Sequence, residues 1–517
     1  MGGERHLPET TNARALSYML KSYVGPGCLS LPLAYQHAGW GVGTFLLLLI
    51  LGECSKKPLQ HTHILPSMQT VNFIFYFLCL GAVTWNLRSI VLCKRFHDAD
   101  GVKTFADIAL VTFGTRGRRL LDLLVNICQF GICAIYFDFV AENVNSMVPL
   151  SWKNFASIHL CMLYVFPLFG ALALLPSVDS IAPYASFANF FMLAVILIVL
   201  GFTISELQLH GTGDGSTIGE ALNWPIFFAT VVYSCEGINN CLPVENALKD
   251  KDAIFWLLYL SMGIIAGLYC LVGLLCYMAW PDISKASITA QLAEDYPDSV
   301  MVQISAIFVI LAVIFTFPLQ VFPAVETLEL RLGLVEPHAG PIAGASTDLL
   351  RKLSQQDRSE DLALGAMSLT DDLVPDDDKL EADLDSLDVD VLDCNSRQSS
   401  TTTRIACLTC SQVIFRIGLV AFCGITAALV PNLGNLIALV GAINGSLLAI
   451  IIPAVIDLNC PRPAGWDPYF SYPEAATFVE SKMRSYEIFV DVVIVIFGII
   501  CGVWSSILSV YEAAQGS

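Results

Sequence analysis

The sequence predicts an all-α polytopic membrane protein of about eleven transmembrane helices. Three observations predict it. Of the 517 residues, 55% are hydrophobic and only 14% charged, more apolar surface than a soluble core of this length has use for. The apolar residues gather in runs long enough to cross a bilayer core of about 30 Å, which takes roughly 20 helical residues. Two of these runs, the first and the sixth, contain residues that helices exclude, and that spacing is what an inverted repeat of five plus five helices presents in its two halves.

The runs lie at 16–37, 71–93, 120–141, 155–175, 181–203, 222–244, 253–279, 300–322, 411–430, 433–457 and 486–511. Each is read as a helix, because lipid leaves only helices or closed barrels able to satisfy the backbone and these runs are too long for barrel strands. The first, MLKSYVGPGCLSLPLAYQHAGWG, carries Gly25, Pro26, Gly27 and Pro32, although Gly costs about 1 kcal/mol and Pro about 3 kcal/mol relative to Ala in a helix interior. After it, residues 41–51 are apolar but reach only about 17 Å as a helix, too short to cross. The second span is therefore placed at 71–93, with 53–81 an atypical insertion or a segment retained in the gene model. The third span carries Asp138, with Glu142 one turn further on the same face. The sixth reads FATVVYSCEGINNCLPVENALKD, where Glu236 and Gly237 interrupt an apolar helix near mid-depth. A membrane helix unwinds only where protein or water takes the freed N–H and C=O groups, and transporters use such half-helix ends to bind polar substrates.

Lys and Arg near short loops set orientation. Lys94, Arg95, Lys103, Arg116, Arg118 and Arg119 share one side with Lys249, Lys251, Arg462, Lys482 and Arg484, whereas the opposite loops offer Lys153 and Lys285. The N-terminal segment 1–15 is thus expected in the cytosol and the tail 512–517 on the other side. The first run lacks the pattern of a cleaved signal peptide. Between spans 1–8 (16–335) and spans 9–11 (405–511), the stretch 336–404 holds fourteen acids between Asp357 and Asp393 against Arg358 and Lys379, which supplies most of the net charge of −19. It reads as a disordered acidic cytosolic loop. A solvated tether is one role; a regulatory tail addressed at Ser354, with cytosolic regulators as partners, is the other.

The seventeen cysteines fall mostly within spans or on the cytosolic side, so no structural disulfide is expected. Cys407 and Cys410 have no second pair or histidine group beside them, and Asn444-Gly445-Ser446 lies inside an apolar span, out of a glycosyltransferase's reach. Neither a nucleophile motif nor a metal-ligand cluster suggests an enzyme, and no pore loop or charged ring suggests a channel.

The stretches LKSYVGPGCLSLPLAYQHAGW, CEGINNCLPVENALKD, FPLQVFPAVETLE and ALVPNLGNLIALVGAINGSLLAIIIPAVIDL resemble the amino acid/auxin permease family, most closely its proton-coupled amino acid transporter branch. The resemblance runs from about residue 15 to 511, apart from 53–81 and the acidic loop. It implies the five-plus-five inverted-repeat fold and secondary active transport of amino acids, coupled to H+ with no other cofactor; small neutral amino acids are the expected substrates, because the site residues offer one carboxylate for the ammonium and no further fixed charge for a side chain. A receptor that senses amino acids on a transporter fold is the alternative. A vacuolar or lysosomal membrane is favoured over the plasma membrane. Carried over by position, the family's first-helix site falls on Val24, Gly25, Gly27 and Cys28, and its sixth-helix motif on Ser234, Cys235, Glu236 and Gly237; Tyr136 and Phe317 are candidate pocket walls. Where members of the branch have a histidine shortly before the first break, this chain has Tyr18, which does not titrate near physiological pH. Glu236 is then the candidate for proton coupling, since an ionisable group at mid-membrane is functional by default.

Deleting 345–400 is expected to leave transport largely intact, because a disordered acidic loop contributes no packed core. Limited proteolysis of sealed vesicles checks the placement: cleavage in this loop from the non-cytosolic face alone would overturn the topology.

Overall fold

The computed structural model describes residues 11–51, 81–97, 102–149, 157–175, 178–235, 237–332, 334, 409–430, 432–461 and 477–515. Its elements run α1 (Asn12–Tyr23), a 3-10 turn (Pro26–Ser30), α2 (Leu31–Ala38), α3 (Trp40–Leu51), α4 (Ala82–Phe96), α5 (Phe105–Met147), α6 (Ile158–Ala173), α7 (Val178–His210), α8 (Trp224–Ser234), α9 (Ile238–Ala247), α10 (Ala253–Ala279), α11 (Ile288–Asp295), α12 (Val300–Arg331), α13 (Cys410–Leu429), α14 (Leu433–Val440), a π-helical stretch (Gly441–Ile451), α15 (Ile452–Asn459) and α16 (Thr477–Gln515). The architecture is that of an all-α polytopic membrane protein. Seven described helical segments are long and apolar enough to cross a membrane, within α5, α7, α10, α12, α13, the α14–α15 run and α16. The other four predicted spans correspond to shorter or divided pieces.

Two of those pieces are the predicted breaks. The first predicted span is α1, the turn and α2; the sixth is α8 and α9. The fourth is α6, whose N-terminus is capped by the Ser157 hydroxyl accepting from the Leu160 N–H.

Of the second span, placed at 71–93, the structure describes the part from Ala82. Helix α4 begins at Ala82, and residues 71–80 lie outside the described residues. The short run after the first break is itself a helix, α3, which packs against α8, α10 and α4, while α4 also packs on α10. At 1.5 Å per residue, the 12 residues of α3 and the 15 of α4 rise about 18 and 22 Å. The described part of each is shorter than the roughly 20 helical residues that a crossing takes.

Irregular backbone inside the bundle is taken up by buried polar side chains. Asn86 on α4 donates to the carbonyls of Ala449 and Ile450, both at 2.8 Å, at the end of the π-helical stretch. On the other side of that stretch, a methyl group on Gly441 would lie 2.0 Å from the Ala229 carbonyl oxygen of α8. A glycine is required there for the backbones to touch. Helix α5, at 43 residues, is divided by Gly114, whose φ of 70° breaks the helical run, and its start is fixed by a capping box between Thr104 and Asp107.

Two buried ion clusters fix helix ends. Glu245, 1% exposed at the end of α9, lies 2.9 Å from Arg95 Nε and 3.3 Å from Lys94 Nζ, both on the last turn of α4. Lys251 Nζ donates to the carbonyls of Glu245 and Asn246, closing the end of α9. Arg416 on α13 forks onto Glu329 of α12, at 2.7 and 2.9 Å, and its third nitrogen donates to the carbonyls of Ala173 and Leu175 at the end of α6.

Removing one partner of a buried ion pair costs about 3–5 kcal/mol, because an uncompensated charge is left behind. Glu245→Gln should therefore lower the thermal midpoint of the detergent-solubilised protein well beyond the effect of an exposed control such as Glu326→Gln. Equal midpoints would remove the clamp at the end of α9.

Candidate functional site

The two breaks are locally different and fit together. Helix α1 ends with the Val24 N–H donating to the Leu20 carbonyl at 3.0 Å; Gly25 is then fully extended (φ −130°, ψ −175°), and Pro26 opens the 3-10 turn. Pro suits this position because it has no N–H to leave unsatisfied. Helix α8 ends at Ser234, with the Cys235 N–H reaching Val231 at 3.0 Å, and α9 restarts after Gly237. Glu236 itself lies outside the described residues.

The pieces meet through their glycines. A methyl group on Gly27 would lie 2.8 Å from Ser234 Oγ and 3.1 Å from Ser234 Cα, and one on Gly237 would lie 2.4 Å from the Tyr23 ring. Each break thus presses bare backbone against the residue that ends the other half-helix. Across both stands Tyr269 of α10, fully buried, whose hydroxyl lies 2.9 Å from the Tyr23 carbonyl and 2.5 Å from the Ser234 carbonyl. These are the last carbonyls of α1 and α8, which α-helical bonding leaves open. Sequence reasoning did not single out Tyr269, because a tyrosine in an apolar run has no local mark of a partner 246 residues away.

Two cavities flank this junction. The larger, about 500 Å³, is bounded by α1 and α9, with walls from α5, α7 and α12; it reaches Val24, Gly25 and Tyr136. Ser22, Asn189, Thr316 and Gln320 give it neutral polar groups, and Lys21 is the one charged side chain among its described lining residues. The smaller, about 200 Å³, is bounded by α2 and α8 and reaches Ser30, Gln36, His37 and Thr230. Since α1 and α2 leave the first break in opposite directions, as do α9 and α8 from the second, the cavities lie on opposite sides of the crossed breaks.

The predicted site residues separate accordingly. Val24, Gly25 and Tyr136 face the larger cavity. Gly27, Cys28, Ser234, Cys235 and Gly237 are buried at the junction. Phe317 stacks on Phe169, with ring centroids 4.0 Å apart, and meets Phe137 edge-on at 6.2 Å; it is a packing residue of α12 in this structure and lies outside the cavity lining. Lys21 went unremarked in the sequence because a lysine near a helix end reads as a snorkelling group. Arg88 lies 4.0 Å from Glu487 and over the Trp85 ring, away from either cavity.

A family of transmembrane amino acid transporter proteins matches residues 70–510, a match that begins after the first break. Amino acid transporter AVT3A of Arabidopsis thaliana is 27% identical over 317 residues, covering 60% of this chain and 66% of the relative. Vacuolar amino acid transporter 3 of Saccharomyces cerevisiae is 25% identical over 334 residues, covering 63% of this chain and 42% of the relative. Amino acid transporter ANT1 of Arabidopsis thaliana is 25% identical over 346 residues, with 65% and 70% covered. The chain thus spans under two thirds of the length of the first two.

Gly25 and Gly27 should respond differently to substitution. Nothing lies within 4 Å of a side chain added at Gly25, and its extended backbone suits a β-branched residue, so Gly25→Val should keep its folded yield in detergent and lose uptake by filling the cavity. Gly27→Ala forces a methyl group onto Ser234 and should lose about 1–3 kcal/mol of stability, read as a lower folded yield. Equal yields for Gly27→Ala and wild type would show that the two breaks do not touch.

Proposed function

This chain belongs to the transmembrane amino acid transporter protein family, and from that premise we propose that it carries small neutral amino acids across a vacuolar membrane by alternating access, driven by protons. The observation that carries the reading is the pair of cavities separated only by two crossed helix breaks. A substrate held at such a junction reaches one side or the other according to which half-helices stand apart. Here the larger cavity gives access from the α1 side.

In that cavity the substrate carboxylate meets the N–H groups of the turn after Gly25, where the start of the half-helix adds favourable partial charge. Lys21 supplies a cation nearer the mouth. The ammonium turns to the opposite break, where Ser234 ends α8 and Glu236 follows. A cavity of about 500 Å³ has room for a small amino acid with some of its water, and its neutral polar groups suit the backbone groups of a substrate more than a charged side chain. Arg88, the remaining cation of the second span, is held by Glu487 and Trp85 and does not select for acids. The name of the yeast relative supports the vacuolar placement.

The purified protein in proteoliposomes should take up labelled small neutral amino acids when the lumen and bath differ in pH. In competition, unlabelled glutamate or lysine should inhibit at least tenfold more weakly than the neutral substrate, because a side-chain charge left unpaired in a partly desolvated cavity costs more than the 1.4 kcal/mol that a factor of ten represents. Preferential flux of glutamate would overturn the neutral-substrate reading. Saturable binding of an amino acid with no flux would favour a sensor.

A further inference from the structure

Among the buried acids that the transport reading leaves unused, two stand together on α5. Asp138 and Glu142 lie one turn apart on α5, 4% and 7% exposed, and their surroundings differ. Glu142 is engaged as an acceptor: its carboxylate takes the backbone N–H of Ser287 at 3.1 Å. Asn143 beside it donates to Ser287 Oγ at 3.2 Å and accepts from Thr289 Oγ1 at 2.7 Å. Together they hold the start of α11, and a negative group is favourable at a helix start. Asp138 has no such partner for one of its oxygens: Oδ2 is buried and without a hydrogen bond.

On this basis, and resting on the proton-coupled reading above, we propose that Asp138 is a proton-binding site of the transport cycle and that Glu142 passes its charge state to α11. A single free carboxyl oxygen suits a proton. A metal ion needs several ligands, and among the described residues no three His, Cys, Asp or Glu side chains group to hold one. The route onward is structural. Helix α11 packs against the turn Pro26–Ser30, and the segment before it is tied to α2 through the Ile283 N–H and Gln36 Oε1 at 2.9 Å. With Asp138 protonated, Glu142 bears the only charge of the pair and keeps its grip on α11. With Asp138 ionised, two like charges one turn apart repel, and the grip on α11 and on the second half of the broken helix loosens.

The other titratable groups around the pair are few. The α11 segment brings Lys285, paired with Glu294 at 3.4 Å, and Asp295; α6 brings His159 and Cys161; the turn brings Cys28; α14 and the π stretch carry no acid or base. Of the charged groups of α12 and α13, Glu329 and Arg416 pair beside the C-terminal end of α6, at the end of that helix away from Glu142, and Glu326 is exposed.

The test uses the full chain in proteoliposomes, comparing wild type, Asp138→Asn and Glu236→Gln for accumulation driven by a pH gradient and for exchange of labelled substrate without one. Asp138→Asn is expected to exchange substrate with a flattened pH profile and to lose gradient-driven accumulation down to simple equilibration. Full accumulation by Asp138→Asn while Glu236→Gln loses it would overturn the proposal and leave proton coupling standing. A wild type that does not respond to the gradient at all would instead overturn the coupled reading, and this proposal with it. Should Asp138→Asn fail even in exchange, Asp138→Glu decides: restored gradient-driven accumulation supports the site, and an inactive Asp138→Glu overturns it.

Discussion

A helix that stops inside hydrocarbon leaves carbonyl groups that no water can reach, each costing several kcal/mol if left open, and in this protein two such ends are brought to one phenol. Tyr269 stands between the Tyr23 and Ser234 carbonyls. Its single proton serves one of them fully at a time, so the pair must be held at the same point for either to be served. That requirement explains the glycines around it. Ser234 can approach the first break only if Gly27 has no side chain, and Tyr23 can approach the second only if Gly237 has none. Helix α10, which carries Tyr269, also packs against α1, α2, α3 and α4. The rest of the bundle is arranged so that this one helix stays in place between the two breaks.

Charge is used at the ends and avoided in the middle. The Glu245 cluster ties the end of α9 to α4, and Arg416 with Glu329 ties α12 and α13 to the end of α6. Such pairs are poor sources of net stability when burial is counted but costly to break once formed, which makes them suited to holding an end still. Helix α1 has no clamp of this kind among the described residues. Its lysine, Lys21, faces the larger cavity, and its Tyr18 is more than half exposed. Of the two half-helices that bound the cavity, α9 carries a buried ion cluster at its end, whereas α1 is held at its end by the Tyr269 hydroxyl.

Much of the fold was legible in the sequence because membrane burial imposes length and composition on each span, and the breaks were legible because Gly and Pro are costly where they stand. Val24, Gly25 and Tyr136 lie beside the cavity, Gly25 expected from the break, and Val24 and Tyr136 from the resemblance. What stayed hidden depends on partners far along the chain. Tyr269 looked like any apolar-run tyrosine, and Phe317 looked like a pocket wall although Phe169 and Phe137 enclose it. The second span, placed at 71–93, is described only from Ala82 onward, and the run after the first break, too short to cross alone, is the separate helix α3. The π stretch has no sequence mark of its own; it exists because Gly441 lets α8 come close and Asn86 receives the carbonyls it releases.

The thinness of the partition between the two cavities follows from the same contacts. Between them stand Gly27 against the Ser234 backbone, the Tyr23 ring against Gly237, and one shared hydroxyl. Interlocked large side chains would have to leave their rotamers for the halves to move apart, at a cost typical of overpacked cores. Glycine against a serine Cα presents no such obstacle, and the Tyr269 proton can pass its preference from one carbonyl to the other while both remain near it. The contact between the two breaks thus rests on a close glycine approach and a shared hydroxyl, interactions that can be exchanged in place of being broken.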